Sequence, residues 1–163
     1  MKKINYLIGL FVILMLTNSC TGYTPIFKSS NMKFEISDYS IGGNKKLGNQ
    51  IYNKLNSLSK NNKKDSDVKG INININVTKQ KNATAKDKAG KALEYKIILN
   101  VEIVVKDSLT NDELLNNNFI LSSSYKTQDQ YSETIKLDNN STNDLVNKVY
   151  QDLLIMLSKK LAI

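Results

Sequence analysis

Strict alternation of apolar and polar residues is the strongest signal along this chain. Ile71, Ile73, Ile75 and Val77 alternate with Asn72, Asn74 and Asn76, the period-two pattern of a strand that packs one face and wets the other. Tyr95, Ile97, Leu99, Val101, Ile103 and Val105 repeat the pattern over a longer run. After turn-forming residues from Asp107 to Asp112, the set Leu115, Asn117, Phe119, Leu121, Ser123 and Tyr125 runs back as a hairpin partner. Phe34, Ile36 and Ile41 read as a short first strand and its exit. The lysine-rich stretch holding Lys79, Lys81, Lys86, Lys88, Gly90 and Lys91 reads as the loop between the two long strands.

Two segments follow the helical period instead. Gly42, Gly43 and Asn44 break the first strand, and Leu47, Ile51, Leu55 and Leu58 then recur on one stripe, which predicts a helix over roughly 45–59. Asn61 to Lys69 is a polar connection without periodicity. Asn140, Ser141 and Thr142 are good N-cap residues and predict a closing helix that carries Leu145, Val149, Leu153, Met156 or Leu157, and Leu161. Lys159 and Lys160 suit the negative end of its dipole. The order strand, helix, three strands, helix predicts an α+β two-layer sandwich, with two helices packed on one face of a four-stranded, mostly antiparallel sheet.

The first residues follow neither period. Lys2 and Lys3 precede an apolar run from Tyr6 to Leu16, and the small Ser19 stands before Cys20. This predicts a secretory signal peptide over 1–19, its apolar run too short for a span of roughly 20 residues. Residues 20–163 contain one proline, Pro25, and no Pro/Gly/Ser-rich linker, so a single domain is expected. Cys20 is the sole cysteine and lies at the cleavage point. It is either an incidental thiol of an ordinary secreted protein or the acylated first residue of a bacterial lipoprotein. Thr17, Asn18, Ser19 and Cys20 approximate the lipoprotein cleavage box, with the usual leucine displaced by one place to Leu16. Lipidation would anchor the mature chain to a membrane surface without spanning it.

Composition narrows the chemistry. The chain has no histidine and no tryptophan, so a His/Cys metal site, a Ser-His-Asp triad and a Cys-His pair are unavailable. No enzyme activity, metal or cofactor is expected. Asp65 with Asp67, Asp112 with Glu113, and Asp138 with Asp144 lie in polar, turn-like sequence and read as solvated carboxylates, with nothing apolar around them to shift their pKa. The formal charge is +8 and the sequence pI about 9.4; loss of Lys2 and Lys3 with the signal peptide takes two from +8 and leaves +6. One reading is an anionic partner, which outside the cytoplasm is a phosphorylated lipid or a bilayer surface, not nucleic acid. The other is a compositional bias toward Lys, Asn and Ile that runs through the whole chain.

Several segments together resemble the LPS-assembly lipoprotein family LptE. Cys20, Gly22, Tyr23, Thr24 and Pro25 are similar to its cysteine-glycine-aromatic opening, with Thr21 inserted, and Leu47 to Leu55 resembles its first helix. Asn82 to Ala85, a basic segment, Gly90, and Leu93 to Val101 resemble its central loop and strand. Tyr150, Leu154, Leu157, Lys160 and Leu161 resemble its closing helix. The resemblance implies an outer-membrane lipoprotein, anchored on the periplasmic side, that sits as a plug inside the LptD barrel and with it inserts lipopolysaccharide into the outer leaflet. It also implies direct lipopolysaccharide binding by basic side chains near the central glycine. Lys88 is the best match, Lys86 and Lys91 flank it, and a second basic position falls at Lys136, where the ungapped match is Asp138. The same lysines also read as a solvated loop that keeps a strand edge from aggregating. A free-standing periplasmic lipid carrier, or an auxiliary lipoprotein of an envelope transporter, is the second functional expectation. A carrier requires an enclosed apolar cavity, whereas a plug requires a packed core and a broad polar surface.

Overall fold

The computed structural model describes residues 33–61 and 68–161. The expected signal peptide, Cys20, Asp65 and Asp67 lie outside these residues. Four strands form one sheet in the order β1-β2-β3-β4. They are β1 (Phe34–Gly43), β2 (Lys69–Lys86), β3 (Ala92–Asp107) and β4 (Glu113–Lys126), with α1 (Lys45–Asn61) between β1 and β2 and α2 (Tyr131–Leu161) after β4. β1 pairs parallel with β2, while β2 with β3 and β3 with β4 are antiparallel. The α+β sandwich expected from periodicity is therefore the architecture found, with both helices on one face.

A parallel pair cannot be closed by a tight turn and needs a crossover, which α1 supplies. Its start is set at Gly43, whose φ of 65° is left-handed and so favours glycine; a Cβ there would lie 2.2 Å from the Val77 carbonyl oxygen. The Asn44 N–H donates to that same carbonyl at 2.7 Å, and the Asn44 side chain caps the helix by accepting the Leu47 N–H at 3.2 Å. Gly48 then lets α1 lie close to β1, because a Cβ at that position would come within 2.4 Å of Ile41 Cγ2.

The core is continuous. From the sheet, Phe34, Ile71, Ile73, Ile75, Val77, Ile97, Leu99, Val101, Ile103, Val105 and Phe119 are buried, and Leu47, Ile51, Leu55, Leu145, Val146, Val149, Leu153 and Leu157 meet them from the helices. Among the described residues no helix lies over the opposite face of the sheet. That face presents Asn72, Asn74, Asn76, Thr78, Asn116, Asn118 and Ile120, and the twist of β1 against β2 and β3 leaves an open hollow of about 750 Å³ there, lined by Asp38, Ser40, Asn74, Glu102 and Lys106 among others. Asn117 departs from its two neighbours and points to the helix side, opposite Ile103.

Two boundaries differ from the sequence-based expectation. β2 runs on to Lys86, so the expected lysine-rich loop over 79–91 is mostly strand, with only a short turn at its tip. Periodicity hid this because residues 81 to 91 are exposed on both faces and cross-strand pairing, not burial, keeps them extended. α2 begins at Tyr131, nine residues before the expected cap at Asn140 to Thr142. Its first turns bury Thr134 and Thr142 in place of large apolar residues, so their stripe is invisible to a hydrophobic count.

Candidate functional site

The inner face of β2 changes character halfway along. Ile71 to Val77 face the core, but the next two residues in the same file are Lys79 and Lys81, and α2 answers them with Asp138. The Lys79 ammonium donates to Asp138 Oδ1 at 2.5 Å, and Lys81 lies 2.7 Å from Oδ2. The Tyr125 hydroxyl of β4 donates to the same Oδ2 at 2.7 Å. Thr142, one turn on, donates to the Asp138 carbonyl at 2.7 Å. One carboxylate thus ties together β2, β4 and α2.

Asp138 is no solvated carboxylate, contrary to the expectation from its polar sequence surroundings, since its side chain is only 13% exposed. Burial by itself would raise its pKa, but hydrogen bonds from Lys79, Lys81 and Tyr125 and the charge of Lys79 outweigh burial and hold the carboxyl well below the usual range. Burial likewise opposes the charge on Lys81, and its bonds to Asp138 and Tyr125 reverse that and raise its pKa. The Lys81 ammonium also stands 4.3 Å from the Tyr95 ring centre and 5.5 Å from that of Tyr125, positions at which the ring faces attract a cation. Burial, followed by the Asp138 carboxylate, pushes the Tyr125 phenol up.

This cluster braces the root of an arm. Beyond Lys81 the β2–β3 hairpin stands clear of the helical layer, and its turn carries Lys86, Lys88 and Lys91, all exposed. Asp87 organises the turn: its Oδ1 accepts the N–H groups of Ala89 and Lys91, each at 2.9 Å, and Gly90 takes a φ of 86°. Among the described residues no ion pair joins Asp87 to the three lysines. Their ammonium groups project from the exposed tip, where they can meet phosphate or carboxylate ligands. Lys96 and Lys126 add positive charge on the uncovered face of the same end, opposite Ser124 and Glu94. Sequence reading passed over this pair, although their even numbering on alternating strands places them there.

Lys136 does not belong to this group. It lies inside α2, two residues from Asp138 and so about 200° around the helix, exposed on the solvent side. The ungapped match at that position, Asp138, is the residue that faces the sheet. Among the described residues, no cluster of three or more His, Cys, Asp or Glu side chains could hold a metal ion, and no helix is long and apolar enough to cross a membrane.

The fold is similar to that of solved structures described as bacterial lipoproteins. A lipoprotein from Caulobacter crescentus superposes with a TM-score of 0.56 at 13% identity, over 80% of this chain and 92% of that one. Lipoprotein B from Nitrosomonas europaea gives 0.56 at 14% identity, over 82% and 88%. Rare lipoprotein B from Shewanella oneidensis gives 0.51 at 13% identity, over 75% and 95%. At identities this low the superpositions establish a shared fold and nothing of function. No family model matches the sequence, and no curated protein matches it.

Proposed function

We propose that this chain is an outer-membrane lipoprotein, acylated at Cys20 and held on the periplasmic side, that plugs and assembles an LptD-type barrel and takes part in inserting lipopolysaccharide into the outer leaflet. The role is non-catalytic. The observation that carries the reading is the braced hairpin with Lys86, Lys88 and Lys91 at its tip, a cationic probe suited to the phosphates of lipid A. Two further features support it. The fold is that of bacterial lipoproteins, and the uncovered face of the sheet is rich in amides, which hydrogen-bond readily to the polar lining of a barrel lumen. The hollow on that face is open and lined by polar side chains, which favours a plug over a lipid carrier.

The test is co-purification from detergent-solubilised outer membrane, combined with a lipopolysaccharide-binding assay. The tagged chain should bring down a barrel of the LptD type, and its depletion should leave that barrel misassembled. Changing Lys86, Lys88 and Lys91 together to Glu should weaken lipopolysaccharide binding. Wild-type binding should also weaken as salt rises, because exposed charges are screened over about 8 Å at physiological ionic strength. Normal amounts of mature barrel in depleted cells would overturn the assembly role. Equal affinity of the folded triple variant and the wild type would remove the lysines from it.

A further inference from the structure

The two edges of the sheet are built differently. β1 is short, carries Glu35 and Asp38, is interrupted by a bulge at Ser37 and ends in Gly42 and Gly43. All of these discourage another strand from pairing with it. β4 has none of them along its middle. From Leu114 to Tyr125 it contains no charge and no proline, β3 is its one strand partner among the described residues, and Ile120 at its centre is 66% exposed. An edge of this kind is an open template for a further strand.

The order of residues on β4 says which strand. Leu115, three asparagines, Phe119, Ile120, Leu121, three serines and Tyr125 follow one another, so the pattern is mirrored about Ile120 in residue class. If a second β4 pairs antiparallel about Ile120, the amides of Asn116, Asn117 and Asn118 fall opposite the hydroxyls of Ser124, Ser123 and Ser122. Phe119 falls opposite Leu121, Leu115 opposite Tyr125, and Ile120 opposite its own copy. Paired positions share a face, as an unbroken antiparallel sheet requires. Apolar residues meet apolar residues, and amides meet hydroxyls.

The charged ends agree with this register. The bulge at Leu114 puts Glu113 opposite Lys106, on the uncovered face, where Glu113 accepts a bond from Asn116 Nδ2 at 3.3 Å. Lys126 lies on that same face, opposite Glu94. In the mirrored pair, Lys126 of each copy falls opposite Leu114 of the other, next to its Glu113.

We infer that β4 is a self-pairing edge through which two copies of this chain form a two-fold dimer with one eight-stranded sheet. The dimer is closed, because its outer edges are the two guarded β1 strands. This interface is independent of the barrel reading and stands or falls on its own.

The register makes the test specific. In the full chain carrying Cys20→Ser and purified in a non-ionic detergent, Ile120→Cys should give a disulfide-linked dimer on mild oxidation, since directly paired Cα atoms lie about 4.5–5.5 Å apart. Asn118→Cys and Ser122→Cys should each fail alone, with like positions four residues out of register and roughly 13 Å apart, yet cross-link when the two proteins are mixed. Sedimentation of the Cys20→Ser chain at about 100 μM should show twice the monomer mass. Ile120→Lys, which sets two ammonium groups face to face, should weaken dimerisation at least about tenfold without altering the circular dichroism spectrum. A monomer under these conditions would overturn the inference. So would a dimer that persists in Ile120→Lys, or cross-linking of Ser122→Cys alone with none at Ile120→Cys.

Discussion

Replacing Asp138 by Ala removes the acceptor shared by Lys79, Lys81 and Tyr125 and leaves two ammonium groups and a phenol facing one another. Hydrogen bonds to a charged group contribute about 1.5–3 kcal/mol, a range that applies to the pair with Lys79, whose side chain is 23% exposed. Lys81 is 38% exposed, so water can replace its partner and its share falls to the surface value of about 0.2–1 kcal/mol. The Tyr125 bond adds about 1 kcal/mol, and the relieved desolvation of the carboxylate offsets part of the sum. A loss of about 2–3 kcal/mol is expected, which for a domain of this size corresponds to a fall in Tm of roughly 6–12 °C. The chain has no tryptophan, so urea unfolding followed by far-ultraviolet circular dichroism is the suitable assay. The folded-state pKa of Asp138 is depressed. Its contribution is therefore complete above the unfolded value of about 3.9 and is lost as pH falls below that value toward the lower folded one. The gap between wild type and Asp138→Ala should be constant from about pH 7 to pH 5 and narrow toward pH 2. Asp144→Ala, at an exposed position of the same helix, should stay within about 0.5 kcal/mol of wild type. A loss below about 0.5 kcal/mol for Asp138→Ala, or a gap that ignores pH down to about 2, would refute the bracing role.

Leu99 is fully buried at the middle of β3, and Leu99→Ala should cost about 2–5 kcal/mol in the same assay. Gly48→Ala should destabilise by about 1–3 kcal/mol, because its methyl would fall 2.4 Å from Cγ2 of the branched Ile41 side chain, which must shift to make room. The triple change of Lys86, Lys88 and Lys91 to Glu should leave stability within about 0.5 kcal/mol of wild type, so that any loss of lipopolysaccharide binding reports on the ligand and not on folding. Cys20→Ser should abolish incorporation of radiolabelled acyl chains in growing cells; labelling that survives would refute acylation at that residue.

Burial decided how much of this structure could be read from the residues alone. β3 and the first half of β2 were legible because each inward position is a large aliphatic residue, and α1 because Leu47, Ile51 and Leu55 keep one stripe between a capping asparagine and a polar exit. The second half of β2 and the first turns of α2 were not legible, because neither has a run of inward apolar residues. Lys79 and Lys81 meet Asp138 in a polar contact that no hydrophobic period can announce, β2 beyond Lys81 is exposed on both faces, and the buried Thr134 bonds to Gln128. The site divided along the same line. Lys86, Lys88 and Lys91 were found from their density around Gly90, since a turn needs no burial to be recognised. The brace beneath them went unseen, because pairing a carboxylate at 138 with ammonium groups at 79 and 81 requires the sheet register and the helix phase together. Lys136 shows the converse error, a residue chosen by position along the chain when the helix turns it away.

The parallel pairing of β1 with β2 also fixes a polarity. Both strands start at one pole of the sheet, and β2 runs eighteen residues, roughly 55–60 Å at about 3.3 Å per residue, before reaching the basic turn. On the proposed reading, with an anchor ahead of β1, the sheet would act as a strut that sets its cationic tip about twice the roughly 30 Å thickness of a hydrocarbon core away from the start of β1.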